Sequence, residues 1–358
     1  MLYKGLILLL FIATVNPSLS QWHGKERSLH YTPKGADFVT VNGKLRFNRA
    51  LYGTHTGFRV EAGDLPEFAL YLPGMGGSFR LGLMAGNKSK WLIDAKNIKA
   101  IYRPGSMLYE IKDPLLGNGT MHITVLPMAN AEGMIIKTQF INVTAKTSLV
   151  WAYGGATGKK FNRDGDIGAD PESSFYLQPE YCTNNSYTIN GKTFQLKFGN
   201  KQLCGIVPSA SDIAIKDAAL QETPLSFYNS SASATPAIGG KMAITNSTSY
   251  FSVQHTDSLA PHLPKLFAQA EDARKKLAGR IKLVTPDVYL NTLGAALSVA
   301  ADAIWESPTY LHGAVAWRMR LPAWRGAYVA DVLGWHDRAR THFSSYALSQ
   351  VKEPATGP

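Results

Sequence analysis

Cysteine is scarce in this chain of 358 residues, which contains only Cys182 and Cys204. Zinc sites need sets of cysteine and histidine at short, regular spacings, and the sequence contains no such set. In an exported protein the two cysteines could form a disulfide that closes a local loop or hairpin. The alternative is a pair of partly buried thiols, and the sequence leaves both readings open.

Other signals are missing as well. After the N-terminus no segment offers the roughly 20 apolar residues that a membrane helix needs, so no membrane span is expected. The chain has no glycine motif for nucleotides, no Gly-x-Ser-x-Gly elbow and no metalloprotease helix. Its formal charge is +11, but the lysines and arginines are spread along the chain. We therefore expect no nucleic-acid partner, whereas acidic glycans or an anionic cell surface would suit a basic exported protein.

The first residues are typical of a secretory signal. Lys4 gives a positive start, residues 5–15 are almost wholly apolar, and Ser18-Leu19-Ser20 supplies small residues before a cleavage point. We assign residues 1–20 to a signal peptide and expect the mature chain to be exported, either to the periplasm or out of the cell.

Alternation of apolar and polar residues dominates residues 21–258. Three Asn-Gly pairs, which favour tight turns, precede alternating stretches such as 44–47, 121–125 and 194–198. This pattern predicts antiparallel strands, and the length of the region predicts a large β-sandwich rather than one small module. The fold class is thus mainly β, with a helical C-terminal part.

Helical spacing replaces alternation near residue 262. Apolar residues recur every three or four positions, which assigns 259–284 to a linker helix. In Thr285-Pro286-Asp287 the threonine predicts an N-cap and the proline a first helical position. The next helix should bury a stripe that includes Leu290, Leu293 and Leu297. With helices predicted at 326–333 and about 336–351, residues 285–358 form the start of a helical domain.

Asp331 is the only charge in the apolar helix predicted at 326–333. We expect that helix to be buried, and a buried carboxylate needs a partner or a solvated cavity. An ion pair with Arg325 or a later arginine is the structural explanation, and a place in a ligand site is the functional one.

The loop from Glu306 to Arg325 combines aromatic rings with cations. Binding residues concentrate on loops that rigid elements hold in place, and tryptophan faces can stack on sugar rings while arginine and histidine bond hydroxyls or carboxylates. The alternative is that the tryptophans belong to the core and that His312 is structural. Glu306 and Asp331 are our candidates for acid–base catalysis, with Asp337 also available. The rings and cations of the loop are Tyr310, His312, Trp317, Arg318, Arg320, Trp324 and Arg325.

A second candidate is the acidic stretch 162–172. Asp164, Asp166 and Asp170 are separated by glycine and small residues and could place carboxylate oxygens around Ca²⁺. The stretch lacks the twelfth-position glutamate of an EF-hand, and the alternative is an acidic surface loop. No cofactor other than this calcium is expected.

Several local stretches resemble the bacterial six-hairpin glycosidases. They are Thr285-Pro286-Asp287, Tyr310-Leu311-His312-Gly313-Ala314-Val315-Ala316-Trp317-Arg318, Trp324-Arg325-Gly326-Ala327-Tyr328 and Leu333-Gly334-Trp335-His336-Asp337-Arg338-Ala339-Arg340. The chain looks similar to exported proteins of polysaccharide degraders that carry an N-terminal β-sandwich domain of unknown function, a linker helix and an (α/α)6 toroid. The resemblance implies that His312, Arg318, Trp324, Arg325, Asp331 and Trp335 lie at or near a sugar-binding pocket.

The toroid implied by this resemblance is larger than the helical region. Twelve helices of about 11–12 residues, joined by about 4–6 residues each, need on the order of 200 residues, whereas 285–358 suffices for three helices. We therefore expect a partial glycoside hydrolase that is inactive as this chain and exposes apolar helix faces. The alternative is a non-catalytic carbohydrate-binding β-sandwich, and a lyase or phosphorylase is a third reading.

Overall fold

The computed structural model describes residues 29–155, 172–255, 262–314 and 318–350. The chain up to His30 is a separate unit of which only Leu29 and His30 are described, so the architecture below concerns residues from Tyr31 onward. The predicted signal peptide lies outside the described residues. Within the described ranges, no helix is both long and apolar enough to cross a membrane.

Two large antiparallel sheets form the body of the chain, and a few helices follow them, which confirms the predicted fold class. The limits at residues 258 and 284 stay predictions. The first sheet has the order β1 (Thr32–Lys34), β2 (Asp37–Val41), β8 (Asn97–Arg103), β9 (Ser106–Lys112), β10 (Thr120–Pro127), β11 (Gly133–Ile141), β18 (Thr248–Gln254), β15 (Lys201–Ile206), β14 (Thr193–Phe198) and β13 (Ser186–Asn190). The second has the order β16 (Ala214–Asp217), β17 (Pro236–Ala243), β12 (Ser148–Gly154), β6 (Met75–Ala85), β5 (Glu67–Leu72), β4 (Arg59–Ala62) and β3 (Arg49–Leu51), with β7 (Lys88–Trp91) paired to β6.

The main core takes its side chains from the inward faces of both sheets. In β10, Met121, Ile123 and Val125 are buried, which confirms the alternation read from the sequence. Trp151 of β12 is fully buried and lies near Phe251 of β18, with ring centroids 6.1 Å apart. Burial of such large rings contributes much of the hydrophobic stabilisation of a sandwich.

Only some of the stretches that follow an Asn-Gly pair form the predicted strands. Asn190 and Gly191 join β13 to β14 as a hairpin, with Gly191 at φ 58°, as predicted. The stretch 44–47, predicted as a strand, forms none. Its backbone N–H groups bond to carboxylates instead, since Leu45 donates to Asp64 at 3.0 Å and residues 46 and 47 donate to Glu172 at 3.1 and 3.0 Å.

Five α-helices occur among the described residues. The short α1 (Pro224–Asn229) precedes β17, and the other four follow the sheets: α2 (Leu263–Ala278), α3 (Val288–Ala303), α4 (Ala323–Val332) and α5 (His336–Leu348). A hairpin of β19 (Trp305–Glu306) and β20 (Thr309–Tyr310) lies between α3 and α4. The N-cap of α3 is Asp287 rather than Thr285, and its carboxylate accepts the N–H of Tyr289 at 2.7 Å.

Helix α3 does not bury the predicted leucine stripe. Leu290, Leu293 and Leu297 are 46%, 38% and 46% exposed. The buried side chains are small ones, namely those of Thr292, Gly294, Ser298, Val299 and Ala303. Small residues permit a close approach: the hydroxyl of Thr292 donates to the carbonyl of Gly35 at 2.9 Å, and the side chain of Ile281 lies 3.1 Å from the point where Gly294 would carry a Cβ.

Cys182 and Cys204 are both buried, and no disulfide joins them, so that reading of the sequence is wrong. The thiol of Cys182 accepts the N–H of Gly155 at 3.1 Å and belongs to a core cluster beneath β12 and β17. Cys204 lies in β15, where Gln195 of the adjacent strand is its cross-strand partner. Burial raises the pKa of the Cys182 thiol to about 12, so this group stays protonated at neutral pH.

Candidate functional site

A cleft of about 340 Å³ lies where the sandwich meets the helices. Its walls come from the segment between β3 and β4, the end of β10, and helices α2, α3 and α5. Such junctions are frequent places for ligand sites because several elements can direct side chains toward one volume. Several charged side chains line the cleft. Some of them form ion pairs with other described residues, and others do not.

Asp302 is the centre of the paired groups. Its Oδ1 lies 3.0 Å from Nε2 of His55, which belongs to the segment between β3 and β4. The same oxygen lies 2.7 Å from Nη1 of Arg338 in α5. One carboxylate on α3 therefore connects the sandwich to the last helix.

The environment of Asp302 keeps it ionised. Burial alone would raise the pKa of this carboxyl, but hydrogen bonds and charges from His55 and Arg338 outweigh burial and hold its pKa below the usual value. The side chains of Asp302 and Arg338 are each 21% exposed, so water screens the pair only in part. The network is a fixed structural connection at the wall of the cleft.

Trp335, predicted to lie at or near a sugar-binding pocket, forms part of the same wall. It is only 9% exposed. The guanidinium of Arg338 lies 4.4 Å and that of Arg280 lies 5.0 Å from its ring centroid. These cation–π contacts occupy the ring, so Trp335 positions two arginines rather than presenting an open face.

Two predicted site residues, Glu306 of β19 and Arg318, form an ion pair. Arg318 donates to the carboxylate of Glu306 and, at 2.9 Å, to the carbonyl of Ala314. The side chain of Glu306 is 44% exposed and that of Arg318 is 14% exposed. Arg318 therefore holds the candidate carboxylate in one orientation at the surface. His312 is exposed, and its backbone N–H donates to the carbonyl of Met319 at 2.8 Å.

A groove of about 410 Å³ lies between α4 and α5. Trp324 and Tyr328, which are 57% and 65% exposed, meet edge to face with their ring centroids 6.0 Å apart. Asp331 and Phe343 also line this groove, and the guanidinium of Arg325 lies 4.9 Å from the ring of Trp324. Three predicted site residues, Trp324, Arg325 and Asp331, thus lie on or beside one helix face. We refer to the face formed by Trp324, Tyr328 and Asp331 as the aromatic groove.

The expectation that Asp331 is buried is wrong. Its side chain is 71% exposed and forms an ion pair with Nδ1 of His336 at 2.8 Å. The buried positions of α4 are Gly326, Ala327 and Ala330, so the helix again packs through small residues. Trp324, Tyr328 and Val332 are exposed, as Asp331 is.

The sequence reading missed the three residues that connect the sandwich to the helices, His55, Asp302 and Arg338. One signal could have found Asp302, because it is the only charged residue within α3. The reasoning applied to Asp331 would have identified it. His55 and Arg338 carry no comparable signal, since each becomes recognisable only through its contact with that carboxylate.

The calcium prediction lies outside the described residues, because Asp164, Asp166 and Asp170 belong to 156–171. Trp317 is likewise outside them. Among the residues that are described, no group of three or more histidine, cysteine, aspartate or glutamate side chains could hold a metal ion.

Comparisons with known proteins bear on the family and the fold. The family model for a domain of unknown function, DUF4450, matches residues 72–271. No curated protein matches the chain in sequence. A bacterial glucoamylase complexed with acarbose is similar in structure with a TM-score of 0.52 and 11% identity, over 87% of this chain and 53% of the glucoamylase chain. An alpha-N-acetylgalactosaminidase from Bifidobacterium bifidum aligns with a TM-score of 0.36 and 8% identity, over 71% of this chain and 40% of its own. The chain thus spans about half the length of the glucoamylase, and that likeness concerns the fold.

Proposed function

We propose that this chain, which belongs to the DUF4450 family of domains of unknown function, acts on polysaccharide or glycan as the N-terminal part of an exported glycoside hydrolase-like protein. The fold is compatible with this role, because 87% of the chain aligns in structure with a bacterial glucoamylase complexed with acarbose. Fold alone does not determine function, so the proposal depends on the chemistry of the aromatic groove.

The exposed pair of Trp324 and Tyr328 is the observation that carries the proposal. Apolar rings of this size are normally buried, and their exposure in a groove is typical of a binding surface. Sugar rings have apolar faces that stack on aromatic side chains, while their hydroxyls need polar partners. Arg325 and Asp331 supply a donor and an acceptor beside the two rings.

The catalytic part of the proposal concerns Glu306 and Asp331. Hydrolysis of a glycosidic bond commonly uses two carboxylates on opposite sides of the bond. Glu306 is paired with Arg318, whereas Asp331 is paired with His336 on the groove. Each of them is therefore a candidate for one of the two roles. We propose hydrolysis outside the cytoplasm, in the periplasm or beyond the cell.

Binding without cleavage is the second candidate function. The aromatic groove favours it, because stacking on Trp324 and Tyr328 needs no second carboxylate. In this case the chain would hold a glycan as a non-catalytic carbohydrate-binding protein. The two functions differ in one observable, the release of new reducing ends.

Affinity electrophoresis of the full chain through gels that contain different polysaccharides tests both functions. We expect Trp324→Ala and Tyr328→Ala to weaken retardation at least about tenfold, a loss of about 1.4 kcal/mol. Val332→Ala is the control, since Val332 is 84% exposed on the same helix but does not line the groove.

Reducing-end release separates the hydrolase from the binding protein. Release that Glu306→Gln or Asp331→Asn abolishes supports hydrolysis by this chain, whereas retardation without release fits a binding protein or a hydrolase that is inactive as this chain. The proposal fails if no polysaccharide retards the wild-type chain, or if Val332→Ala weakens retardation as much as Trp324→Ala does.

A further inference from the structure

Two cations in the cleft lack acidic partners. Lys276, in the last turn of α2, and Arg280, just beyond the end of that helix, both line the cleft. Within the described ranges no carboxylate lies within ion-pair distance of either side chain. Both side chains are exposed at the cleft, so an anion that binds near them is favoured electrostatically.

The other charges of the cleft are already neutralised. Arg338 is paired with Asp302, as described above. Arg274 donates to Glu271 through two hydrogen bonds of 2.8 and 2.7 Å and to the carbonyl of Pro104 at 2.9 Å. Positive charge therefore remains at Lys276 and Arg280, next to an opening large enough for a small ligand.

Arg280 is held in place before any ligand arrives. Its Nη1 donates to the carbonyl of Leu333 at 2.6 Å, and its guanidinium lies 5.0 Å from the ring centroid of Trp335. A guanidinium fixed in this way keeps N–H groups for an anion, and it can donate two parallel hydrogen bonds to two oxygens of a carboxylate or sulfate group. Preorganisation lowers the entropy lost on binding.

Neutral polar groups occur in the same cleft. The hydroxyl of Tyr52 is buried and has no hydrogen-bond partner among the described residues. Burial, with the charge of Glu61, raises the pKa of Tyr52 well above its usual value, so its hydroxyl stays protonated and can donate. The side chain of Asn130 is exposed and adds an amide. Two cations together with neutral donors suit a ligand that carries both an acidic group and hydroxyls.

We propose that this cleft binds an acidic sugar residue, whose carboxylate or sulfate contacts Lys276 and Arg280 while its hydroxyls bond to Tyr52 and Asn130. The inference rests on the proposed function in taking the ligand to be a saccharide. It adds a second site, separate from the aromatic groove, and it assigns an acidic glycan as the substrate class. The volume of about 340 Å³ is within the range of small-ligand sites and accommodates one or two sugar residues.

Titration calorimetry of the full chain with four probes tests the inference. The probes are trigalacturonate, a sulfated disaccharide, neutral maltotriose and sodium sulfate. We expect an acidic saccharide to bind at least about tenfold more tightly than maltotriose or sulfate, and to bind less tightly as salt increases. Binding of only one acidic probe identifies its acidic group as the one that the cleft accepts.

Lys276→Gln should weaken binding of the acidic saccharide at least about fivefold. Lys275→Gln is the matched control, because Lys275 is adjacent in sequence, is 62% exposed and makes only a 4.0 Å contact with Glu271. Equal losses in the two variants would mean general attraction to a chain of charge +11 and would overturn the inference. Equal affinity for sodium sulfate and for the acidic saccharides would also overturn it.

The aromatic groove distinguishes failure of this inference from failure of the proposed function. If Trp324→Ala abolishes polysaccharide retardation while Lys276→Gln leaves acidic-sugar binding intact, the proposed function stands and the cleft inference fails. If no saccharide binds but sodium sulfate binding is lost in Lys276→Gln, the cleft accepts a bare anion and both proposals fail.

Discussion

Replacing Asp302 by asparagine tests whether one carboxylate connects the sandwich to the helices. Removal of its charge leaves Arg338 without its acidic partner. Such a loss costs about 3–5 kcal/mol for a fully buried pair and about 0–1 kcal/mol for an exposed one. Because both side chains are 21% exposed, we expect an intermediate loss of about 2 kcal/mol in the free energy of unfolding.

Urea unfolding followed by tryptophan fluorescence measures this loss. With a slope of about 3 kcal/mol per molar urea, the midpoint should fall by about 0.7 M. Asp337→Asn is the control, because it makes the same chemical change in α5 at a side chain that is 95% exposed. Trp335 is a local reporter, since Arg338 lies 4.4 Å from its ring centroid. A midpoint for Asp302→Asn that equals that of Asp337→Asn would refute the reasoning.

The pH dependence of this effect has a definite sign. The pKa of Asp302 is lower in the folded chain than in the unfolded chain, because His55 and Arg338 favour the charged form. The contribution of Asp302 to stability is therefore complete above the unfolded pKa of about 3.9 and is lost as pH falls through the folded pKa. The difference between the wild type and Asp302→Asn should shrink as pH falls below about 4.

Three other predictions follow from the packing. Glu67 is fully buried between two arginines, so Glu67→Gln should lower the free energy of unfolding by about 3–5 kcal/mol. The same change at Glu110, which is 39% exposed, should lower it by about 0–1 kcal/mol. Urea unfolding midpoints of the two variants measure the difference. In α3, Leu297→Ser should change stability by less than about 0.5 kcal/mol, whereas Ser298→Leu should cost about 1–3 kcal/mol, and the reverse order would contradict the observed buried face. Reduction with dithiothreitol should leave the unfolding midpoint unchanged, because no disulfide joins the two cysteines.

The sandwich could be predicted from the sequence because its signal is local. Alternation in residues 121–125 depends only on neighbouring positions, and the hairpin at Gly191 depends on one turn. The stretch 44–47 shows where local reasoning ends. Its backbone bonds to Asp64 and Glu172, which are 19 and about 126 residues away in sequence, and nothing nearby in the sequence indicates those contacts.

The two lone acids of the helices give opposite outcomes. Asp302 is the only acid in α3 and Asp331 the only acid in α4, yet the side chain of Asp302 is 21% exposed and that of Asp331 is 71% exposed. Hydrophobicity alone cannot separate the two cases, because it does not indicate which side of a helix packs. In α3 and α4 small residues mark the packed side, because they allow close contact. Asp302 lies next to Ala303, which is one of the buried small residues of α3.

The packing of α4 through small residues also explains why aromatic side chains are exposed on this helix. Because α4 packs through Ala327 and Ala330, its rings remain at the surface, where Trp324 and Tyr328 form the aromatic groove. At the cleft, a network around Asp302 holds the sandwich against the helices and leaves positive charge unpaired nearby. A glycan that carries acidic residues could use both kinds of surface, stacking on the rings at one and forming ion pairs at the other. The two sites are therefore separable by mutation, since loss of stacking and loss of ion pairing depend on different side chains.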